Sequence, residues 1–320
     1  MNAHPVVAAV ADSDVLEASV GERAPGVVDL VIDRPDARNA LNTAVREALR
    51  DAFDAVGEAS AVGEAGAAET DATGDTDATG DTDATGDTDA TGDTDATGDT
   101  DATGDTEDVR LVVLTGSSEA RAFVAGADVT ELRERSAVEQ RAASEFPRVY
   151  ETVADCPVPV VARVNGHALG GGCELAQACD LRIARADAKL GQPEIDLGLM
   201  PGGGGTQRLP RLVGAGEALR LILTGEVIDA DRAAEIGLVE EAVPPAELDD
   251  RVTAFAETVA AKSPLAVRRA TEAVRAAAQR PLDDGLAHER ELFVGLVGSH
   301  DGNEGIDAFL EDRDPEWHGE

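Results

Sequence analysis

The strongest local pattern in the chain lies between a buried strand and a short helix. It consists of Val164-Asn165-Gly166-His167-Ala168-Leu169-Gly170-Gly171-Gly172-Cys173-Glu174-Leu175. The apolar run Val158–Val164 predicts the strand, and a short helix is predicted around Cys173–Ala178. Three consecutive glycines allow the backbone to approach a ligand closely. The unpaired N–H groups at a helix start point outward at its positive dipole end. We expect a turn that can stabilise an oxyanion, with a turn needed only for packing as the alternative.

The segments on both sides of this turn alternate between strands and helices. Helical apolar spacing covers Arg38–Val56. Strands are predicted at Val15–Val20, Val27–Ile32, Val109–Thr115, Leu181–Ala184 and Lys189–Gly191. This alternation predicts an α/β fold with parallel strands.

From about Ala246 onward the pattern is helical only. The predicted helices are Leu248–Ala261, Leu265–Gln279, Leu282–Leu296 and Ile306–Leu310. A helical tail of this kind often packs on a partner or a cofactor. We therefore divide the chain into an N-terminal extension (1–12), a core (13–245) and a helical C-terminal oligomerisation region (246–320).

The core is interrupted by an acidic insert at 58–108. Within it, the hexad Asp-Ala-Thr-Gly-Asp-Thr occurs six times over residues 71–106, with twelve acids and no base. Such a segment has no large apolar side chain to bury, so we expect it to be a disordered, lengthened surface loop. A calcium-binding β-roll is disfavoured, because its repeats carry a large apolar residue at each turn.

The charge balance excludes several functions. The 320 residues include 64 acids and 27 bases, which gives a net charge of −37. This charge argues against nucleic-acid partners and anionic membrane surfaces. Only Lys189 and Lys262 are lysines, and an acid-rich, lysine-poor chain is suited to molar salt, where the Debye length falls to about 3 Å. A merely acidic protein of low-salt organisms is the alternative.

The cysteines and histidines show no metal-ligand spacing. Cys156, Cys173 and Cys179 form no CxxC pair, which favours reduced thiols in the cytoplasm. The N-terminus has no basic segment typical of a signal peptide. No histidine is linked by motif to Cys173 as a base, and we expect a structural role for His167.

Two further segments can contribute chemistry. The small residues of Phe123–Asp128 can supply a second N–H donor, although such a loop is weak evidence by itself. Glu194 stands beside a proline among glycines and apolar residues, so its carboxyl group can be desolvated and poised near neutral pH. The alternative is a cap or an ion pair with Arg208 or Arg211. Together with Glu174, these groups could polarise a carbonyl and move protons at adjacent carbons.

These motifs, in this order, resemble the crotonase superfamily and specifically its enoyl-CoA hydratase branch. The resemblance covers about Val15–Gly319 outside the repeat. It rests on Arg34-Pro35-Asp36-Ala37-Arg38-Asn39-Ala40-Leu41-Asn42, Ala125–Asp128, Asn165–Leu175, Gly191–Glu194 and Pro201–Arg208. It implies an α/β spiral of ββα units with a helical C-terminal region, assembled as a homotrimer or a dimer of trimers.

The resemblance also implies a reaction, the addition of water across the 2,3 double bond of a 2-enoyl-CoA to give a 3-hydroxyacyl-CoA. Coenzyme A is then part of the substrate, and no further cofactor or metal is needed. The N–H groups of Ala125 and Gly171 would bind the thioester oxygen. Glu174 would activate the water, and Glu194 would give a proton to the α-carbon.

The same resemblance places the rest of the CoA thioester. The residues implied to border it are Ala37, Arg38, Ala40, Ala125, Gly126, Ala127, Asp128 and Gly171. The late segment Phe309–Arg313 has Asp312 where the family often carries a CoA-phosphate lysine, which leaves Arg313 as the candidate replacement.

Two other functions remain open. A double-bond isomerase of the same superfamily typically works with one dominant carboxylate, so the presence of both Glu174 and Glu194 favours a hydratase. A non-catalytic, crotonase-like RNA-binding protein would need a basic helix. The helix predicted over Arg38–Val56 balances its arginines with acids.

Overall fold

The computed structural model describes residues 3–60 and 108–320. The repeat at 71–106 lies outside the described residues. The predictions that it is disordered and that it forms a surface loop therefore concern residues that the structure does not describe. The helix before it continues to Ser60, whose side chain is buried. Residues 58–60, which the sequence assigned to the insert, are part of this helix.

The chain forms ten strands and thirteen α-helices in its described part. The strands are β1 Leu16–Val20, β2 Val27–Ile32, β3 Leu111–Gly116, β4 Ala122–Val124, β5 Val160–Val164, β6 His167–Leu169, β7 Leu181–Arg185, β8 Lys189–Gly191, β9 Val227–Asp229 and β10 Glu241–Val243. The helices are α1 Pro5–Ala9, α2 Thr43–Ser60, α3 Val129–Glu134, α4 Ala137–Ala142, α5 Val149–Ala154, α6 Gly171–Ala178, α7 Gly205–Val213, α8 Ala215–Thr224, α9 Ala230–Glu235, α10 Leu248–Ala260, α11 Pro264–Ala277, α12 Leu282–Val297 and α13 His300–Glu311. Short 3₁₀ helices cover Pro35–Ala37 and Pro193–Leu197.

The strands form two sheets. The larger has the order β1-β2-β3-β5-β7-β10, and the smaller has the order β4-β6-β8-β9. Most neighbouring strands are parallel, as predicted, but β1–β2 and β8–β9 are antiparallel. A short turn joins β1 to β2, and such a turn can join only antiparallel neighbours, whereas parallel strands need a long crossover.

A ββα unit recurs along the chain. In each of the pairs β3–β4, β5–β6 and β7–β8, the first strand joins the large sheet and the second joins the small sheet. After β4 and β6, helical segments return the chain to the large sheet; after β8, helices lead first to β9 of the small sheet, and α9 then leads to β10 of the large sheet. The structure thus has the mixed α/β spiral and the helical C-terminal region that the sequence predicted.

Alternate residues of the large sheet face two separate cores. On β3, Val112 and Leu114 pack in the main core. Leu111 and Val113 pack on the opposite face, with Val252 of α10. Burial on both faces explains why this strand is a continuous apolar run rather than an alternating one.

The N-terminal segment, predicted as an extension, packs on the core. Val6 of α1 is fully buried in the main core, where α1 packs against α2. The last strand, β10, ends at Val243, and only helices follow it in the chain. No helix of the described residues is long and apolar enough to cross a membrane.

Candidate active site

A cavity of about 370 Å³ opens where α6, the loop after β4 and the 3₁₀ helix Pro193–Leu197 meet. Glu174 and Glu194, which lie twenty positions apart in the sequence, both line it. The parallel pairing of β6 with β4 and β8 places the ends of these strands side by side. The turns after them therefore converge on one site.

The glycine turn presents an N–H group to this cavity. Gly170 caps α6 with a φ of +49°, a left-handed conformation that favours glycine. Gly171 is the first residue of α6, so its N–H has no acceptor within the helix. A Cβ at Gly171 would lie 3.0 Å from the Tyr150 hydroxyl oxygen and 3.2 Å from the amide nitrogen of Ala127. The amide of Ala127 is thus the direct neighbour of Gly171.

The expected donor role of Ala125 is wrong in this structure. Its N–H already donates to the carbonyl oxygen of Arg38 at 3.1 Å. Ala127, two residues later, has no acceptor for its N–H within the described part of the chain. The hydrogen bond to Arg38 engages the N–H group of Ala125, so the N–H group of Ala127 is the one that can act as a second donor beside that of Gly171.

A buried asparagine shapes this loop from behind. The side-chain nitrogen of Asn39 donates to the carbonyl oxygens of Ala122 at 3.0 Å and Phe123 at 3.3 Å. Its side-chain oxygen accepts from the N–H of Arg34 at 2.8 Å. Asn39 is fully buried, and it ties the Arg34–Asn42 motif to the end of β4.

Glu174 is held by two backbone donors. Its Oε1 accepts from the N–H of Gly203 at 2.6 Å and from the N–H of Gly205 at 2.8 Å. Burial raises the pKa of this carboxyl group, and the two hydrogen bonds oppose that rise. The bonds fix the orientation of Glu174 and engage only one of its oxygens.

Glu194 has a different environment. Burial, aided by the negative charge of Glu174, raises the pKa of Glu194 to about 7. The side-chain amide of the neighbouring Gln192 satisfies its hydrogen bonds in one orientation. Its nitrogen then donates to the two carboxyl oxygens of Glu194 at 3.1 and 3.2 Å, and its oxygen accepts from the side-chain nitrogen of Gln177 at 2.9 Å. Thus Glu194 can hold or release a proton near neutral pH.

The ion pairs considered for Glu194 do not form. Arg208 lies 3.6 Å from Glu151 and donates to the carbonyl oxygen of Gly203 at 3.0 Å. Arg211 donates to the carbonyl oxygen of Gln207. Both arginines support the backbone around α7, and Glu194 faces the cavity.

The residues expected to border CoA divide into two groups. Ala125, Gly126, Ala127, Asp128 and Gly171 line the cavity. The lining does not include Ala37, Arg38 or Ala40, which lie behind the Ala125–Asp128 loop. Asp128 pairs with Arg34 at 2.9 Å and caps α3 by accepting from the N–H of Thr130. The hydrogen bond from Arg34 lowers the pKa of Asp128, so this carboxylate serves the loop itself.

The C-terminal arginine is also engaged. Arg313 forms ion pairs with Glu304 at 2.6 Å and Glu311 at 2.8 Å. A phosphate contact by Arg313, in place of the missing lysine, would compete with both carboxylates.

Sequence reasoning missed Tyr150. This residue, the single tyrosine of the chain, is buried in α5 and lies against Gly171 and Gly203. Burial and the charge of Glu174 raise the pKa of its hydroxyl group, so the group stays protonated. A single tyrosine at the start of a short helix is part of no recognisable motif. Its position beside the glycine turn follows only from the packing of α5 on α6.

The other reactive side chains lie away from the chemistry or are inert. The ring nitrogen Nδ1 of His167 accepts from the N–H of Lys189 at 3.2 Å on the surface. Burial raises the pKa of the Cys173 thiol to about 12, which leaves it a poor nucleophile. In residues 3–60 and 108–320, no group of three or more His, Cys, Asp or Glu side chains could hold a metal ion.

Comparison with known proteins shows the family of the chain. The model of the family described as enoyl-CoA hydratase/isomerase matches residues 101–320. The chain belongs to this family. It is 46% identical to crotonyl-CoA hydratase of Syntrophomonas wolfei over 206 residues, which cover 64% of this chain and 79% of that protein. It is 43% identical to a probable mitochondrial enoyl-CoA hydratase of Dictyostelium discoideum over 212 residues, 66% of this chain and 76% of the relative.

The fold likeness extends over nearly the whole chain. The crystal structure of an enoyl-CoA hydratase from Bacillus anthracis is 35% identical and superposes with a TM-score of 0.77, covering 96% of this chain and 100% of that one. The predicted crotonase-like fold class is confirmed.

Proposed function

We propose that the protein is an enoyl-CoA hydratase in which Glu174 takes a proton from water and Glu194 gives a proton to the substrate. The observation that carries this proposal is the pairing of two carboxyl groups of different protonation tendency with the adjacent N–H groups of Ala127 and Gly171 in one cavity. Its hydratase relatives support the same reaction class.

In the proposed reaction, the thioester oxygen accepts hydrogen bonds from the N–H groups of Ala127 and Gly171. These donors stabilise the negative charge that develops on this oxygen when C3 is attacked. The Oε2 atom of Glu174, which lacks the two backbone donors of Oε1, takes a proton from water. The resulting hydroxide adds to C3.

Glu194 then completes the addition. A carboxyl group with a pKa of about 7 is protonated in a large fraction of molecules at neutral pH and can give its proton to C2. The product carries OH on C3 and H on C2. Glu174 ends protonated and Glu194 ionised, and proton exchange with solvent restores both.

A direct experiment separates hydration from isomerisation. Crotonyl-CoA is incubated in H₂¹⁸O, and the product is analysed by mass spectrometry. A hydratase incorporates ¹⁸O at C3. If the enzyme instead converts a 3-enoyl-CoA to a 2-enoyl-CoA without incorporating water, the isomerase alternative replaces this proposal.

The assembly proposed is a homotrimer or a dimer of trimers. Helix α12 has no buried residue, and large apolar side chains of α12 and α13 are exposed, among them Phe293, Phe309 and Leu310. An apolar surface of this kind favours a partner subunit. Light scattering after size-exclusion chromatography tests the assembly, and a monomer would refute it.

The composition supports a cytoplasmic protein of a high-salt cell. A net charge of −37 repels itself in dilute buffer, and salt screens that repulsion. We expect activity and folding to rise from 0.1 M to molar KCl, which circular dichroism and crotonyl-CoA hydration can follow. Full stability in dilute buffer would favour the alternative of a merely acidic protein.

A further inference from the structure

The cavity wall holds polar groups that the hydration chemistry does not use. Helix α2 contributes Arg46, and the segment from α4 to α5 contributes Gln140 and Ser144. Apolar side chains such as Leu132 and Leu197 line the same cavity. A plain hydrocarbon acyl tail would contact only the apolar part of this wall, so these polar groups face either the CoA part of the substrate or a polar acyl tail.

Arg46 differs from the other two arginines of the cavity. Arg135 pairs with Glu131 at 3.0 Å, and Arg148 pairs with Glu151 at 2.7 Å. Arg46 is half-buried and, among the described residues, its side chain has no hydrogen bond or ion pair. In a chain with more than twice as many acids as bases, a half-buried guanidinium group without a carboxylate partner favours an anionic ligand.

Arg46 lies near Tyr150 in the cavity wall. Helices α2 and α5 pack together, and the positive charge of Arg46 opposes the rise in the pKa of Tyr150. The Tyr150 hydroxyl lies next to the position of a Cβ on Gly171. Arg46 is thus close to the residue that borders the proposed thioester site, and a short acyl group bound there can reach it.

Gln140 provides a second polar contact. Its Nε2 donates to the Ser144 hydroxyl at 3.1 Å, and its Oε1 is buried without a partner in the described residues. Buried polar atoms are normally hydrogen-bonded. If the amide rotates, Oε1 accepts from Ser144 and Nε2 becomes a donor for a ligand oxygen.

We propose that the acyl group of the preferred substrate ends in a carboxylate, which Arg46 binds as an ion pair and Gln140 contacts through its amide. The planar guanidinium fork matches the two oxygens of a carboxylate. The substrate class is then the mono-CoA thioester of a 2-enedioic acid. This inference rests on the proposed hydratase function and adds the chemistry of the substrate tail.

The test compares two substrates of equal chain length. Hex-2-enoyl-CoA ends in a methyl group, and hex-2-enedioyl-CoA ends in a carboxylate. We expect wild-type kcat/KM to favour the diacid. Arg46→Met is expected to reduce the ratio of the two kcat/KM values by about 10- to 100-fold, as for the loss of a charged hydrogen bond. Arg50→Met, one helical turn further along α2 and outside the cavity lining, is the matched control and should leave the ratio unchanged.

A binding measurement separates this inference from the proposed function. Calorimetry with the saturated pair, hexanoyl-CoA and adipoyl-CoA, measures recognition of the tail without turnover, and the same drop in preference is expected for Arg46→Met. An equal loss for both tails would show that Arg46 contacts the CoA phosphates, and it would overturn the inference. Wild-type preference for the methyl-ended tail would overturn it as well. Failure to hydrate either enoyl-CoA, with adipoyl-CoA still bound more tightly, would refute only the hydratase function.

Discussion

Glu174 and Glu194 occupy the same cavity but are held in contrasting ways. Glu174 is only 3% exposed, yet two backbone N–H groups bind one of its oxygens. Glu194 is less buried, and its polar neighbour is the amide of Gln192. Backbone donors stabilise a carboxylate, whereas burial near a like charge favours the protonated form. The comparison shows how neighbouring groups can make one glutamate a base and the other an acid.

The largest expected effect follows from removing the base. Glu174→Gln keeps a side-chain oxygen for the N–H groups of Gly203 and Gly205 but replaces the carboxylate that takes the proton from water. We expect kcat for crotonyl-CoA hydration to fall by about 10²–10⁴-fold, as for a lost general base, with little change in KM. A variant that folds by circular dichroism and retains near wild-type kcat would assign the base elsewhere.

Removing the acid should have a comparable effect with a different signature. Glu194→Gln is expected to reduce kcat by about 10²–10⁴-fold, and the residual activity should no longer respond to pH near 7. If only the rate falls and the pH response stays, another group titrates there.

The oxyanion site gives the next largest effect. A valine side chain at Gly171 would crowd the Tyr150 hydroxyl and the Ala127 amide and keep the thioester away from both donors. Loss of one such donor costs roughly 3–4 kcal/mol of barrier, or about 10²–10³ in kcat. Gly171→Ala is a smaller change at the same place, and its activity should lie between those of wild type and Gly171→Val. Full activity in a folded Gly171→Val enzyme would remove this glycine from the site.

A smaller effect should appear in the pH dependence of the wild type. Glu194 has a raised pKa of about 7, and it must be protonated to give its proton to C2. Hydration is therefore expected to proceed below this pH and to decline as pH rises through it. The slope should approach about tenfold per pH unit at alkaline pH. A rate that rises between pH 6 and pH 8 would reverse the roles of the two glutamates.

Sequence reasoning predicted the fold and the two carboxyl groups because both rest on local patterns. The apolar run of β3 and the glycine turn before α6 are readable from a few consecutive residues. The choice between Ala125 and Ala127 was not readable in this way. It depends on a hydrogen bond between Arg38 and Ala125, residues that are far apart in the sequence. Tyr150 was missed for the same reason.

The smallest effect is expected from deleting the acidic repeat. This deletion tests whether the different behaviour of the two glutamates depends only on the residues around them. The described residues on the two sides of the repeat, Ser60 and Asp108, both lie next to the side chain of Arg268. The buried guanidinium group of Arg268 donates to the carbonyl oxygen of Ser60 at 2.9 Å and lies 3.6 Å from Asp108. Deleting Asp71–Thr106 leaves residues 61–70 and 107 to join these ends.

We expect this deletion to preserve activity in molar KCl, together with the decline in rate above pH 7. Shortening a flexible loop about fourfold reduces the entropy cost of closing it, which should stabilise the fold by about 1 kcal/mol. Losing twelve acids should lower the KCl midpoint of unfolding only slightly, since the repeat can extend away from the folded surface and its charges act weakly on it. Arg268→Met in the full-length chain is the informative contrast, because it removes the contact that holds both ends and should destabilise the fold by about 1–3 kcal/mol. Activity lost on deletion at high salt, with Arg268 intact, would mean that the repeat takes part in the working structure, against the prediction from its composition.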